Sequence, residues 1–245
     1  MSEGVYLRDT FSTDSCNEMV TRDKQAVGYL KHEKFPTQIS SFKQWLNKFA
    51  IDLQGTSYKS KKIALDLGCG PGPYTKYLQN LGYEVIAIDF SKDSLIINSA
   101  ECKNSKNEVV FLQEDLNKIS LMKDSVDLVV MADFLQHLGS KYHRERLLNE
   151  AVMALKKDGN FYLSFFNLNI KNYFKNDVHG DFSGGTIRYE RLTASNVLLG
   201  LCDDVKINFV MPMNIVHDAF IDRILTRIPG AKYLARMMVI AGTKA

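Results

Sequence analysis

The chain has 245 residues, 45% of them hydrophobic and 24% charged, with a net charge of +3. That length holds one large domain, or one with a small appendage, and buries a real core; the balance is that of a globular protein rather than a fibrous or disordered one. The small charge argues against a dedicated nucleic-acid surface, no run approaches the roughly 18 apolar residues of a membrane span, and the N-terminus lacks a signal-peptide pattern.

In chain order, a helix is expected from about Ser15 to Lys31, before the break at Pro36. Ile39, Phe42, Trp45, Leu46, Phe49 and Leu53 then recur at three- and four-residue spacing, the stripe of a helix packed on a core. Strands and helices alternate from Lys61 onward. Ile63 to Leu67 reads as a strand, Gly68 to Gly72 as a glycine turn, and Pro73 opens a helix that Gly82 stops. Val85 to Ile88 is an unbroken apolar run, the signature of a strand covered on both faces. Ser91 caps the next helix. Val109 to Leu112, Val126 to Met131 and Phe161 to Phe165 are further strands, with a helix carrying Leu147, Leu148, Ala151 and Leu155 before the last. Residues 167–192, rich in Asn, Gly and aromatic side chains, read as a long irregular segment, and such segments are often functional. Thr193 caps a helix, Val205 to Val210 and Ala235 to Thr243 close the sheet as strands, and a helix spans about Asp218 to Arg227 between them. This alternation implies an α/β, doubly wound and largely parallel sheet. Cys16, Cys69, Cys102 and Cys202 form no C-x-x-C pair, so neither a disulfide framework nor a zinc site is expected, and a reducing, cytoplasmic setting follows.

Two acids give the glycine turn its meaning. A turn between a strand and a helix, at the carboxyl edge of an open parallel sheet, is where ligands bind. Asp89 ends the second strand, where a carboxylate accepts the hydroxyls of an adenosine ribose or, alternatively, caps a helix. Asp66 stands two positions before the first glycine, inside an apolar strand. A carboxylate there repels a pyrophosphate but attracts an ammonium, which disfavours NAD or FAD; a structural partner for it is the alternative.

Asp66-Leu-Gly-Cys-Gly-Pro-Gly72 resembles the first motif of the class I S-adenosylmethionine (SAM)-dependent methyltransferases. Val85-Ile-Ala-Ile-Asp89 is similar to that family's second-strand acidic motif, Leu112-Gln-Glu-Asp115-Leu116 to its adenine-contact motif, and the segment from Val126 to His137 to its fourth-strand motif. Lys157-Asp158-Gly159 departs from the family's usual Pro-Gly-Gly turn. The resemblance implies a seven-stranded sheet with its last strand antiparallel and helices on both faces. It also implies an N-terminal helical extension (residues 1–58) on a SAM-binding domain (59–245), and a lid inserted after strand five at about 167–192. It implies SAM as cofactor, held by Asp66, Gly68, Cys69, Gly70, Gly72, Asp89, Phe90, Asp115, Leu116, Met131 and Gln136, with no metal.

The expected reaction is displacement of the sulfonium methyl by an acceptor atom, in which the protein mainly aligns the partners and excludes water. A general base helps an alcohol and is unnecessary for a neutral amine. His137 is the candidate base; His143, His179 and His217 are weaker ones, and a purely structural His137 is the alternative. Asp133 and Gln136 share the loop after strand four and are candidates to contact the methionine end or the substrate. Tyr173, Phe174, Arg188 and Tyr189 are candidates for shaping an acceptor pocket. Lids of this kind surround small molecules, so an O or N atom of a metabolite or natural product is the expected acceptor. An RNA or protein acceptor, or a SAM-binding chain without turnover, are the alternatives. The basic stretches Lys59-Ser-Lys-Lys62 and Arg223, Arg227, Lys232 and Arg236 lack an aromatic ladder and read as solvated faces. Nothing in the sequence fixes an oligomeric state.

Overall fold

A computed structural model of the chain describes residues 6–7, 18–26, 40, 42–43, 45–46, 61–103, 107–182, 185–215 and 219–245. Ten strands and six helices are used below: β1 (Tyr6–Leu7), β2 (Ile63–Leu67), α1 (Pro73–Asn80), β3 (Glu84–Asp89), α2 (Lys92–Cys102), β4 (Val109–Gln113), β5 (Val126–Ala132), α3 (Lys141–Ala154), β6 (Leu155–Phe166), α4 (Ile170–Phe174), β7 (His179–Phe182), β8 (Ile187–Glu190), α5 (Ala194–Leu199), β9 (Val205–Met213), α6 (Ala219–Leu225) and β10 (Met237–Lys244). A 3-10 turn, Leu135–His137, follows β5. Residues 18–26 are helical, in line with the first expected helix.

The main sheet runs β1-β4-β3-β2-β5-β6-β10-β9. The β4, β3, β2, β5 and β6 pairings are parallel, while β10 is antiparallel to both neighbours, so the closing strand is inserted between β6 and β9. This is the expected doubly wound sheet, with the two-residue β1 added parallel to the edge strand β4.

The two-residue period of β2 divides its side chains between the layers. Leu65 and Leu67 join Val129, Met131, Phe161 and Leu163 in a core closed by Leu147, Leu148 and Val152 of α3 and Val197 of α5. Ala64 joins Leu128, Val130, Tyr162 and Val239 in a core on the other face, closed by Tyr74 and Leu78 of α1 and by Phe42, Trp45 and Leu46. Those last three are the described part of the predicted stripe; Ile39, Phe49 and Leu53 lie outside the described residues. Asp66 lies on this second face, two residues after Ala64.

The helix termini follow their local chemistry. Pro73 stands in the first turn of α1. Ser91, Ser140 and Thr193 each accept a backbone N–H of the helix that follows. Two elements differ from expectation. The Lys157-Asp158-Gly159 turn falls inside β6, which starts at Leu155, and the register shift between Val126 and Leu128 absorbs it. Asp158 has a φ of 61°, so the kink sits within the strand rather than before it. Residues 167–192 contain regular structure: α4, capped by Asn169, and the antiparallel β7–β8 hairpin.

Candidate functional site

The glycine turn leaves β2 and bends at once toward β3. The amides of Gly68 and Cys69 both donate to the Ile88 carbonyl, at 2.8 and 3.0 Å. Gly68, Gly70 and Gly72 all have positive φ, the left-handed region that glycine enters without a Cβ penalty. At Gly72 a side chain is excluded for a second reason, because a Cβ would stand 2.0 Å from Asn98 Oδ1.

Asp89 fastens this loop to the end of β3. Its Oδ2 accepts Gly70 N–H at 2.8 Å and its Oδ1 accepts Ser91 N–H at 2.9 Å. A carboxylate offers about four lone-pair positions, so these two bonds leave acceptor capacity for further donors. Burial raises the Asp89 carboxyl above its usual range, against the lowering effect of the Ser91 and Gly70 amides, of Arg22 and of the Phe90 amide.

Asp66 is buried one strand over. Thr75 Oγ1 donates to its Oδ2 at 2.7 Å, and Asn98 Nδ2 donates to Thr75 Oγ1 at 2.9 Å, tying β2, α1 and α2 together. Burial pushes Asp66 up to about 7, the Thr75 bond opposing it and the neighbouring Asp89 charge adding to it.

The other expected cofactor residues gather on the same edge, with different roles open to them. Asp115 is buried, its Oδ1 taken by the backbone and side-chain nitrogens of Asn117 at 2.9 Å each. Leu116 and Met131 turn their side chains into the core, so only their backbones are available to a ligand. Cys69 packs with Ala87 and Leu95, its Sγ 3.6 Å from Gly70 O. Phe90 lies under the Arg22 guanidinium, 5.5 Å from its ring centroid. Gln136 donates through Nε2 to the Asp133 carbonyl at 2.8 Å, while its buried Oε1 has no partner among the described residues.

His137 Nδ1 lies 2.9 Å from the Arg188 carbonyl, which only accepts, so Nδ1 carries the proton and Nε2 the lone pair. Burial, reinforced by the Arg22 charge, pushes its pKa down to about 3. The ring stands edge-on to Phe166 and Tyr189. Arg188 and Tyr189 of β8 line a cavity of about 630 Å³ together with Gln136, His137 and His179. Tyr173 and Phe174 lie on α4, are strongly exposed, and are absent from that lining. His217 lies outside the described residues.

Sequence reasoning passed over several residues that shape this edge. Asp23 accepts from Ser91 Oγ at 2.5 Å and from the Asp93 amide at 3.2 Å. Met19 Sδ accepts from Gln113 Nε2 at 3.4 Å. With Arg22, these lay the helical residues 18–26 over the ends of β3 and β4. No local pattern announces such a contact, since it joins positions about 70 residues apart. Asp133, which sequence reasoning did single out in the loop after strand four, has a φ of 56° and accepts Ser164 Oγ at 2.5 Å, and burial pushes it up to about 6. Tyr74 and Tyr162 bring phenols to the same corner. For Tyr74 and Thr75 a signal existed, their place in the first turn after the glycines.

Comparison with known proteins agrees with this geometry. Residues 65–163 match the model of a methyltransferase domain. YqeM of Bacillus subtilis, provisionally named a methyltransferase, is 31% identical over 104 residues, which are 42% of this chain and 42% of YqeM. The match thus spans about two fifths of that relative's length. A SAM-dependent methyltransferase of Methanosarcina mazei superposes with a TM-score of 0.59 at 19% identity, covering 76% of this chain and 93% of its own. The N-methyltransferase NodS of Bradyrhizobium japonicum, solved with S-adenosyl-L-homocysteine, gives 0.62 at 13% identity, covering 93% and 98%. At such identities the structural likeness establishes the fold.

Proposed function

Residues 65–163 being a methyltransferase domain within a class I SAM-dependent methyltransferase fold, we propose that the chain transfers the methyl group of SAM to an O or N atom of a small molecule. The observation that carries this reading is the Asp89 carboxylate. It clasps the glycine loop through Gly70 and keeps acceptor capacity beyond its backbone bonds, as ribose hydroxyls require. The fit extends along the edge: Asp66 supplies a carboxylate for an ammonium, and Gln136 holds an unpartnered buried oxygen. When bound, SAM supplies a methyl already activated by its sulfonium.

The chain's own residues then bind, orient and exclude water. Asp89 and Phe90 serve the adenosine, with Asp115 and the backbone of Leu116 at its adenine. Gly68, Cys69, Gly70 and Gly72 pass their backbone close by, and Asp66, Met131 backbone and Gln136 face the amino-acid end. The cavity between the Leu135–His137 turn and the β7–β8 hairpin admits the acceptor, with Arg188 and Tyr189 at its wall. In this reading residues 167–192 serve as the lid that sequence suggested, and 1–58 as the N-terminal cap. His137, neutral with its Nε2 lone pair directed away from Arg188, accepts a hydrogen bond from the acceptor and orients it rather than storing its proton.

Calorimetry with SAM, S-adenosylhomocysteine and NAD tests the proposal. The first two bind and NAD does not; NAD binding without SAM binding overturns it. Asp89→Ala lowers SAM affinity by about 1.5–3 kcal/mol, the scale of hydrogen bonds to a charged group, and an unchanged affinity removes Asp89 from the ribose site.

A further inference from the structure

Four aromatic rings close over the second sheet face beside the proposed methyl-transfer position. Phe42 stands 5.1 Å from Tyr74 and 4.9 Å from Tyr162, and Trp45 lies 5.3 Å from Tyr162. The Tyr74 and Tyr162 hydroxyls and Trp45 Nε1 are buried without a hydrogen-bond partner among the described residues. A buried polar group left unpaired costs about 1–3 kcal/mol, and native proteins carry few of them. Three in one cluster point to a partner supplied from outside the chain.

Asp133 is the carboxylate of this corner. It is held by Ser164 and, through its carbonyl, by Gln136, and its charge acts on both phenols. Its backbone sits at a φ of 56°, which a non-glycine residue adopts at some cost. Position across the sheet says what this corner meets. Asp89 ends β3, the glycine turn leaves β2, and Asp133 follows β5, in that lateral order. Neighbouring strands are about 4.8 Å apart. A ligand whose ribose lies at Asp89 therefore brings its methyl toward β5, and the acceptor atom arrives from the β5–β6 side.

We propose that Asp133, Tyr74 and Tyr162 form a cation-accepting wall at the methyl-transfer position and so select an amine nitrogen as acceptor. The proposal rests on the methyltransferase reading above and deepens it. In the step, the amine lone pair forms the new N–C bond as the S–C bond breaks and its electron pair stays on sulfur. Positive charge thus passes from sulfur to nitrogen, and the methylated ammonium then gives its extra proton to water. A carboxylate and aromatic faces stabilise that charge at its destination. An alcohol must lose its proton as the new bond forms, whereas a neutral amine attacks with its hydrogens in place and carries the full charge until the product ammonium releases one.

The test uses sinefungin, a SAM analogue with a C–NH3+ group in place of the S–CH3+ group, against S-adenosylhomocysteine, which has neither charge nor methyl. Both share the amino-acid end and the adenosine, so their affinity ratio cancels Asp66 and Asp89. By calorimetry the wild-type protein binds sinefungin at least about tenfold more tightly, the scale of one charge-assisted hydrogen bond. Asp133→Asn brings the ratio to within about twofold, and Tyr162→Phe, which keeps the ring packing, lowers it several-fold. An equal ratio in the wild type, or one untouched by both substitutions, overturns the proposal. So does a preference for SAM over S-adenosylhomocysteine without one for sinefungin, which would mean the wall reads sulfonium charge alone. Failure of all three ligands to bind would instead sink the methyltransferase reading.

Discussion

At the scale of single residues, the site is a set of buried carboxylates whose protonation decides what they hold. Asp66 ordinarily titrates at 3.8 and is pushed up to about 7, first by burial. The folded, ligand-free protein therefore holds a proton there, between those two values, that the unfolded chain has lost. Since stability rises with pH only where the unfolded state binds more protons, this group makes stability fall as pH rises from about 4 to about 7. An ammonium ligand reverses the preference, because it pairs with the ionised form. SAM affinity should accordingly rise with pH through this window, by up to about tenfold per unit, and level off above about 7. Asp66→Asn removes that slope and makes the ligand-free protein less sensitive to the same pH change. Titration calorimetry and urea unfolding between pH 5.5 and 8 check both, and a pH-independent affinity in the wild type rules out an ionised Asp66 as the ammonium partner. The role of Asp66 was open to sequence reasoning because its spacing to Gly68 is local. That of Asp133 was open only in part: its place in the strand-four loop marked it for the methionine end or the substrate, but its bond to Ser164, 31 residues away, and the phenols from two other elements were not legible.

At the scale of elements, the strand–turn–helix unit from β2 to α1 concentrates the constraints. Gly72 joins a φ of 93° to a Cβ position only 2.0 Å from Asn98 Oδ1. Gly72→Ala therefore strains the backbone and displaces Asn98 from Thr75 and so from Asp66. The expected cost is about 1–3 kcal/mol of stability, the range for a forced left-handed residue, with a loss of SAM affinity beyond it. Gly70→Ala serves as the control, having the same sign of φ but no neighbour within 4 Å of its Cβ. Equal unfolding midpoints for the two variants in urea would show that the Asn98 contact contributes nothing. This unit was legible because glycine, proline and capping residues act within a few positions. The β7–β8 hairpin was not legible: its strands are four residues each, too short for a two-residue alternation to stand out among Asn, Gly and aromatic residues. Its pairing is fixed instead by contacts from outside, His137 to the Arg188 carbonyl and Arg144 to Glu190 at 2.8 Å.

At the scale of the whole molecule, the carboxyl edge of the sheet gathers what folding would otherwise disfavour. Asp66 and Asp89 are buried and Asp133 half-buried, all three with raised pKa values; several polar atoms lack partners among the described residues, and residues 18–26 lie across the edge by way of Arg22 and Asp23. The core on the first sheet face is apolar throughout. A fold arranged in this way is least stable where the ligand goes, so a ligand that neutralises those groups should stabilise the whole chain and not only its surroundings. Binding to the native state alone adds RT ln(1 + [L]/Kd), about 2.7 kcal/mol at a hundred times Kd. For a chain of this size that corresponds to a rise in melting temperature of roughly 5–11 °C. S-adenosylhomocysteine should produce it in a thermal melt, NAD at the same concentration should not, and Asp89→Ala should need proportionally more ligand for the same rise. A melting temperature raised equally by both nucleotides would locate the stabilisation in a generic adenosine pocket, and the discrimination assigned to Asp66 would fail with it.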